Sequence, residues 1–94
     1  MENVALEKIF KAVANRRRIA ILKILYSQEK ATVDQIAVAI QLSFKATSRH
    51  LNKLYNQGYL SRTQKGLYVR YRIVENPNQE VKTILNSIRT SLIR

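Results

Sequence analysis

The sequence predicts a mainly α-helical domain with a small β-hairpin, and three observations predict this class. Apolar residues recur at helical spacing in five segments of the chain. From Leu60 onward the period changes to the alternation that is typical of strands. The composition, 46% hydrophobic and 24% charged, is that of an ordinary folded protein. Because no linker, repeat or low-complexity run interrupts the 94 residues, we expect residues 1–94 to form a single domain.

The first two predicted helices meet at Asn15. A first helix over residues 3–14 carries one apolar stripe, formed by Leu6, Ile9, Phe10 and Val13. Asn15 ends this helix and is expected to cap the second one. The second helix is densely apolar between Ile19 and Leu25, which predicts burial on more than one side.

A short helix and a longer helix follow a polar break at residues 27–31. Thr32 and Gln35 have the spacing of a capping box, so the short helix is expected to begin there. A tight connection then leads to Ser43, which is expected to cap the longer helix, and Gly58 is expected to end it. The inward face of the longer helix is predicted to hold Thr47, Leu51, Leu54 and Tyr55.

The hairpin and a last helix complete the chain. The predicted strands are residues 60–64 and 68–74, joined by a turn at Lys65 and Gly66. The last helix is predicted to begin at Asn76 and Pro77, with proline in the first position, where no backbone hydrogen bond is lost. Its apolar stripe consists of Val81, Ile84, Leu85, Ile88 and Leu92.

The resulting order is helix, helix, helix, helix, hairpin, helix. Two helices joined by a three-residue turn and followed by a two-stranded ribbon are typical of a winged helix-turn-helix. The second helix of such a motif enters a major groove of about 12 Å width, and the ribbon forms the wing beside it.

The charge distribution indicates a polyanionic partner. The chain carries 17 Lys and Arg against 6 Asp and Glu, a net charge of +11. No acidic residue occurs between Gln35 and Val74, a stretch with seven cations: Lys45, Arg49, Lys53, Arg62, Lys65, Arg70 and Arg72. Such a one-signed stretch favours nucleic acid as the partner, with an anionic membrane face as the alternative.

Other functional classes lack the residues that they need. The chain has no cysteine and one histidine, His50, which excludes thiolate and multi-histidine metal sites. There is no Ser-His-acid order, no carboxylate pair at helical spacing and no glycine-rich phosphate loop, so we expect no enzyme and no cofactor. The longest unbroken apolar run, Ile36 to Ile40, is too short to span a membrane. We therefore expect a cytoplasmic, nucleoid-associated protein with no membrane partner.

The candidate DNA-binding residues lie in the wing and in the second helix of the motif, the helix capped by Ser43, which is called the recognition helix. Arginine can pair with guanine and asparagine with adenine through two hydrogen bonds, whereas lysine neutralises phosphates. The recognition-helix candidates are Ser43, Lys45, Ala46, Ser48, Arg49, Asn52 and Lys53. The wing candidates are Arg62, Gln64, Lys65 and Arg70. The alternative interpretation of both sets is a solvated surface.

Three stretches of the chain resemble the ArsR-type winged helix-turn-helix repressors. Residues 11–25 (KAVANRRRIAILKIL) are similar to the family pattern K-A-L-A-D-P-T-R-x-x-I-L-x-x-L. Residues 42–54 (LSFKATSRHLNKL) match L-S-x-x-x-x-S-x-H-L-x-x-L. Residues 58–60 (GYL) and 66–73 (GLYVRYRI) resemble the wing pattern. The resemblance implies that Arg18 is the structural arginine of the family and that His50 is a structural histidine between helix and wing. DNA contact is the alternative role for His50.

The resemblance also implies a homodimer whose interface is formed by the first and last helices. The two terminal apolar stripes support this assembly, and the alternative is that they close the core of a monomer. The dimer candidates are Leu6, Ile9, Phe10, Val13, Val81, Ile84, Leu85, Ile88 and Leu92.

The chain departs from the family pattern at its metal sites and at one turn. Residues 32–37 contain no thiol, and Glu80 is the one acidic residue of residues 77–94, which contain no histidine. The metal-sensing sites of the best-known family members are therefore absent, and we expect no metal ligand. Gln41 stands where the family commonly has glycine in the turn between the two helices.

Three functional hypotheses follow. The first is a homodimeric regulator that binds double-stranded DNA sequence-specifically and represses transcription by blocking polymerase access. The second is a basic architectural or RNA-binding protein of low sequence specificity. The third is a protein-interaction module that uses the same helix and wing.

Overall fold

The structure, a computed structural model, describes the backbone of residues 2–91 and the side chains of residues 4–91. Within this range the chain forms five helices and a three-stranded sheet, in agreement with the predicted winged helix-turn-helix order. The elements are α1 (Glu2–Val13), α2 (Arg16–Gln28), β1 (Lys30–Thr32), α3 (Val33–Ile40), α4 (Phe44–Asn56), β2 (Leu60–Lys65), β3 (Tyr68–Ile73) and α5 (Gln79–Ser91). The predicted dimer residue Leu92 lies outside the described residues.

Side-chain caps begin α2, α3 and α4 where the sequence predicts them. The Asn15 side chain accepts hydrogen bonds from the first backbone amides of α2. Thr32 and Gln35 form the complete capping box of α3, and the Ser43 hydroxyl accepts from the Ala46 amide at the start of α4. Each cap satisfies amides that have no partner within the helix, which fixes the helix start.

The sheet has one strand more than the predicted hairpin. The antiparallel strand order is β1-β3-β2, with Ala31 of β1 opposite Tyr71 of β3. β1 overlaps the segment that was predicted as a polar break. It has only three residues, too few to show the alternation that predicts a strand. Pairing with β3 forms this strand, and it leaves Ala31 almost fully buried.

Several predicted boundaries shift by one or two residues, among them the hairpin loop and the start of α5. Lys65 pairs with Tyr68, so the hairpin loop is Gly66 and Leu67 rather than Lys65 and Gly66. Gly66 has a φ of 63°, which fits the first position of a two-residue type II′ loop. α5 begins at Gln79 and not at Pro77, because the Asn78 side chain accepts from the Val81 amide at 2.9 Å and acts as the cap.

α2 lies at the centre of the domain. It contacts α1 and α5 as well as α3, α4 and the sheet, whereas the sheet packs against α2, α3 and α4. The tip and the outer face of the hairpin therefore lie away from α1 and α5. The largest fully buried side chains are Tyr59, Ile21, Leu22, Leu25, Ile36, Leu51, Leu54, Val81 and Thr47.

Tyr59 connects the hairpin base to α1. Its ring is fully buried, and its hydroxyl donates a hydrogen bond to the Ile9 carbonyl at 3.0 Å. Burial raises the pKa of Tyr59 to about 12, so the hydroxyl remains a donor at physiological pH. This bond joins residues fifty positions apart in sequence and holds α1 against the domain.

None of the helices between residues 2 and 91 is long and apolar enough to cross a membrane.

Candidate nucleic-acid interface

The turn between α3 and α4 sets the direction of the recognition helix. Gln41 adopts the left-handed conformation, with φ 56° and ψ 51°, and its amide donates to carbonyls of the last turn of α3. Gln41 thus takes the backbone angles that glycine adopts without strain. Ser43 caps α4 two residues later, and the buried Leu51 and Leu54 fix the inner face of that helix.

The opposite face of α4 is exposed and basic. Lys45, Arg49 and Asn52 are exposed and lie at positions i, i+4 and i+7, so they form one stripe along the helix. Lys53 is exposed beside them. Three other candidates differ: the Ser43 hydroxyl accepts the capping bond from α4, and Ala46 and Ser48 are half-buried.

Arg62 joins the wing to α4 through a small cluster. Its Nη1 donates to Asn52 Oδ1 at 3.3 Å and to the Tyr71 hydroxyl at 3.4 Å, and its guanidinium carbon lies 3.9 Å from the centre of the Tyr55 ring. The hydrogen bond to Tyr71 contributes most to raising the pKa of Arg62. The prediction that Tyr55 points inward is wrong, because this ring lies exposed beneath the guanidinium.

The predicted wing residues divide between the two faces of the sheet. Arg62 and Gln64 follow the register of the buried Tyr71 and therefore lie on the inner face, toward α4. Lys65 and Arg70 lie on the outer face, Lys65 exposed and Arg70 half-buried. Gln64 also donates to the Gly66 carbonyl at 3.3 Å, which stabilises the hairpin loop.

Arg18 and His50 link three helices behind the recognition face. Arg18 Nε donates to His50 Nδ1 at 3.0 Å, and Arg18 Nη1 lies 3.2 Å from the Ala12 carbonyl and 3.4 Å from the Lys11 carbonyl. His50 is thus half-buried and hydrogen-bonded, but its partner is Arg18 of α2 rather than the predicted wing. Burial lowers the pKa of His50, and the charges of nearby arginines, Arg18 first, lower it further. A neutral ring is required because Nδ1 accepts the bond.

Four residues near this interface, three of them exposed, were missing from the predicted set. Leu67 and Tyr68 form the wing tip and are 94% and 58% exposed. Arg72 shares the outer face of β3 with Arg70, a relation that the alternation of β3 does indicate. Lys30 joins them through β1, a strand that the sequence pattern does not indicate.

The predicted dimer residues fall into two groups by exposure. Val13, Val81 and Leu85 are buried within the protomer and offer little surface to a second chain. Ile9, Ile84 and Ile88 are half-buried, and Leu6 and Phe10 are 39% and 52% exposed. The part of α1 and α5 that remains for contact is therefore smaller than the full apolar stripes.

Among the described residues no group of three His, Asp or Glu side chains is close enough to hold a metal ion.

Comparison with known proteins begins with the family described as bacterial regulatory protein, arsR family. Its sequence model matches residues 15–62, just over half of the chain. The matched range begins at the cap of α2 and includes α3, α4 and the start of β2. It therefore contains the whole helix-turn-helix.

Solved structures with the same fold include three regulators. The homodimeric winged helix-turn-helix DNA-binding domain Mb0332 from Mycobacterium bovis, described as a possible ArsR-family transcriptional regulator, is 25% identical with a TM-score of 0.76, covering 95% of this chain and 79% of that one. The transcriptional regulator HlyU from Vibrio vulnificus CMCP6 is 28% identical with a TM-score of 0.72, covering 96% and 90%. The antimony-specific transcriptional repressor AntR is 26% identical with a TM-score of 0.74, covering 90% and 71%.

Proposed function

Because this chain belongs to the arsR family of bacterial regulatory proteins, we propose that it is a homodimeric repressor that binds double-stranded DNA sequence-specifically. One observation carries the proposal. The stripe of Lys45, Arg49 and Asn52 is exposed on a helix whose direction is fixed by the Gln41 turn and the Ser43 cap. A rigid basic helix of this kind fits a major groove.

The residues of this stripe have different tasks in the proposed complex. Arg49, in the middle of α4, reads guanine through two hydrogen bonds, whereas Lys45 neutralises phosphate near the start of the helix. Asn52 is oriented by Arg62, which occupies one acceptor site on Oδ1 and leaves the amide donors directed away from the wing. The Arg62 cluster thus places wing and helix in one fixed relation before DNA is bound.

The wing is proposed to follow the phosphate backbone beside the groove. Lys65 lies at the end of β2, next to the loop, and its exposed ammonium group neutralises phosphate without reading a base. Gln64 stabilises the loop next to Lys65 through its hydrogen bond to the Gly66 carbonyl.

Homodimer formation is proposed to occur through α1 and α5. Leu6 and Phe10 are exposed apolar residues on α1, and Ile84 and Ile88 on α5 are only half-buried. The related Mb0332 domain is a homodimer, which supports the same assembly here. A symmetric dimer presents two α4 helices to half-sites about one helical turn, roughly 34 Å, apart. Light scattering should then give twice the chain mass of 10.9 kDa.

Repression is proposed to occur by occlusion. A dimer that covers two half-sites excludes polymerase from the same DNA, and no further catalytic or ligand-binding residue is needed for that effect. The relative AntR is a repressor, which supports this direction of regulation. This family and fold are those of transcriptional regulators rather than enzymes.

Salt-titrated binding to a selected genomic operator and to scrambled DNA tests the proposal. Arg49→Ala should cost about 1–3 kcal/mol per half-site on the operator and much less on scrambled DNA. Lys65→Ala should weaken both DNAs alike and reduce the salt slope by about 2 in a dimer, since each phosphate contact contributes about 0.9. Lys82→Ala, which removes an exposed charge from α5, is the control and should retain full sequence discrimination.

The same titration can also give results that count against the proposal. If Arg49→Ala weakens operator and scrambled DNA equally, Arg49 is a phosphate contact. That result favours the alternative of a low-specificity architectural or RNA-binding protein, and equal wild-type affinities for operator and scrambled DNA would refute the proposed repressor function.

A further inference from the structure

The outer face of the sheet carries a basic cleft that shares only Lys65 with the DNA contacts proposed above. Lys30 of β1 lies opposite Arg72 of β3, and Thr63 of β2 lies opposite Arg70. Because side chains alternate along each strand, these four and Lys65 project from the same face. They line a cleft of about 180 Å³, which we call the outer cleft.

Charge in the outer cleft is strongly one-sided. Four of its five lining residues are cations, and the fifth, Thr63, contributes a hydroxyl that can donate to an anion. Two acidic residues lie at its margin: Glu29 forms an ion pair with Arg72 at 3.7 Å, and Glu75 lines the neighbouring hollow together with Arg72. Cations therefore outnumber acids at this site, and its two arginines are half-buried.

The position of the outer cleft separates it from the recognition helix. α4 packs against β2 from the core side of the sheet, so the exposed stripe of α4 and the outer cleft lie on different surfaces. The sheet packs on α2, α3 and α4, whereas α5 packs on α2 and α1, and α1 packs on α2, α4 and α5. A dimer formed through α1 and α5 thus carries its two outer clefts toward its distal ends.

From this placement we propose that the outer cleft binds backbone phosphates of the DNA that flanks each half-site. The proposal rests on the proposed function, because it requires the dimer to be seated on DNA. The cleft spans three strands, about 10 Å at a strand spacing of about 4.8 Å, which is wide enough for adjacent phosphates. Arginine guanidinium groups and threonine hydroxyls are common hydrogen-bond donors to phosphate oxygens.

Glu29 regulates this site as an internal competitor. Its backbone has a φ of 67° and a ψ of −55°, a region that a non-glycine residue rarely adopts, and its carboxylate contacts Arg72. Flanking phosphate has to displace that carboxylate. Removal of the Glu29 charge should therefore strengthen flank binding and leave binding to the half-sites unchanged.

The test compares two duplexes, one limited to the two half-sites and one extended by about ten base pairs of arbitrary sequence on each side. The wild-type dimer should bind the long duplex more tightly, with a salt slope larger by about 3.6 if each cleft holds two phosphates. With that slope, the ratio of long-duplex affinity to short-duplex affinity falls about 150-fold between roughly 50 and 200 mM salt.

Variants assign the difference to the outer cleft. Lys30→Gln combined with Arg72→Gln should abolish the length dependence and retain wild-type affinity for the short duplex. Glu29→Gln should tighten binding to the long duplex only. Lys82→Gln combined with Arg89→Gln removes two exposed charges from α5, as a match for the double variant, and should leave the length dependence intact. Retained short-duplex binding shows that the variants are folded.

Two results would overturn the proposal. Equal affinities and slopes of the wild type for both duplexes would show that flanking DNA is not bound. Alternatively, inorganic tripolyphosphate could bind the wild type but not the double variant while the flanks add nothing, in which case the cleft takes free oligophosphate. Failure of the proposed function is distinct from both, because it appears on the short duplex as equal wild-type affinity for operator and scrambled sequence.

Discussion

Arg18→Ala should destabilise the protein although Arg18 is a partly exposed arginine in a run of three. α1 ends at Val13. The Asn15 amide bonds to the Val13 carbonyl, whereas in a continuing helix it would bond to the Lys11 carbonyl. The last carbonyls of α1 therefore lack partners within the helix. Arg18 donates to two of these carbonyls and also to His50 on α4. One side chain therefore ties α1, α2 and α4 together, and its charge is favourable at the C-terminus of α1.

The expected loss follows from these three bonds. A hydrogen bond to a charged donor contributes about 1.5–3 kcal/mol when it is buried. Arg18 is half-buried and two of its distances exceed 3.1 Å, so each bond is weakened by solvent. We expect Arg18→Ala to reduce the free energy of unfolding by about 2–4 kcal/mol. Arg18→Lys should recover part of this loss, because it keeps the charge but not the planar fork.

Urea unfolding followed by far-ultraviolet circular dichroism measures the effect at one fixed protein concentration, since stability depends on concentration in a dimer. Arg17→Ala is the matched control: Arg17 is exposed and its side chain forms no hydrogen bond within residues 4–91. The control should change stability by less than about 0.5 kcal/mol. Equal effects of the two substitutions would refute the structural role of Arg18.

Three further predictions concern stability. The pKa of His50 is lowered in the folded protein, so the unfolded chain binds more protons below about pH 6.5 and the free energy of unfolding falls as the pH drops below that value. The urea midpoint should therefore be lower at about pH 5.5 than at about pH 7.5. His50→Gln should reduce this difference. Gln41→Gly should raise the free energy of unfolding by about 1 kcal/mol by relieving the left-handed side chain, whereas Gln41→Ala should not. Tyr59→Phe removes the bond to the Ile9 carbonyl and should cost about 1 kcal/mol in thermal unfolding; an unchanged melting temperature would contradict that role.

Local sequence signals account for most of the secondary structure. The caps at Asn15, Thr32 and Ser43 act over two or three residues, which is why they were predictable from the sequence. The acid-free stretch between Gln35 and Val74 indicated a polyanionic partner before any fold was known. The start of α5 was missed by two residues because Pro77 and the nearby asparagines all favour a helix start there.

The sequence by itself determined the helices, the hairpin, the basic face of α4 and the family. Only the tertiary structure decided which distant residues meet: Arg18 with His50, Arg62 with Asn52, and Lys30 with Arg72. The physical reason is that β1 has no alternation of its own and exists by pairing with β3, forty residues away. The outer cleft depends on this strand pairing, and the Arg18–His50 hydrogen bond depends on the packing of α2 against α4, contacts that no local pattern encodes.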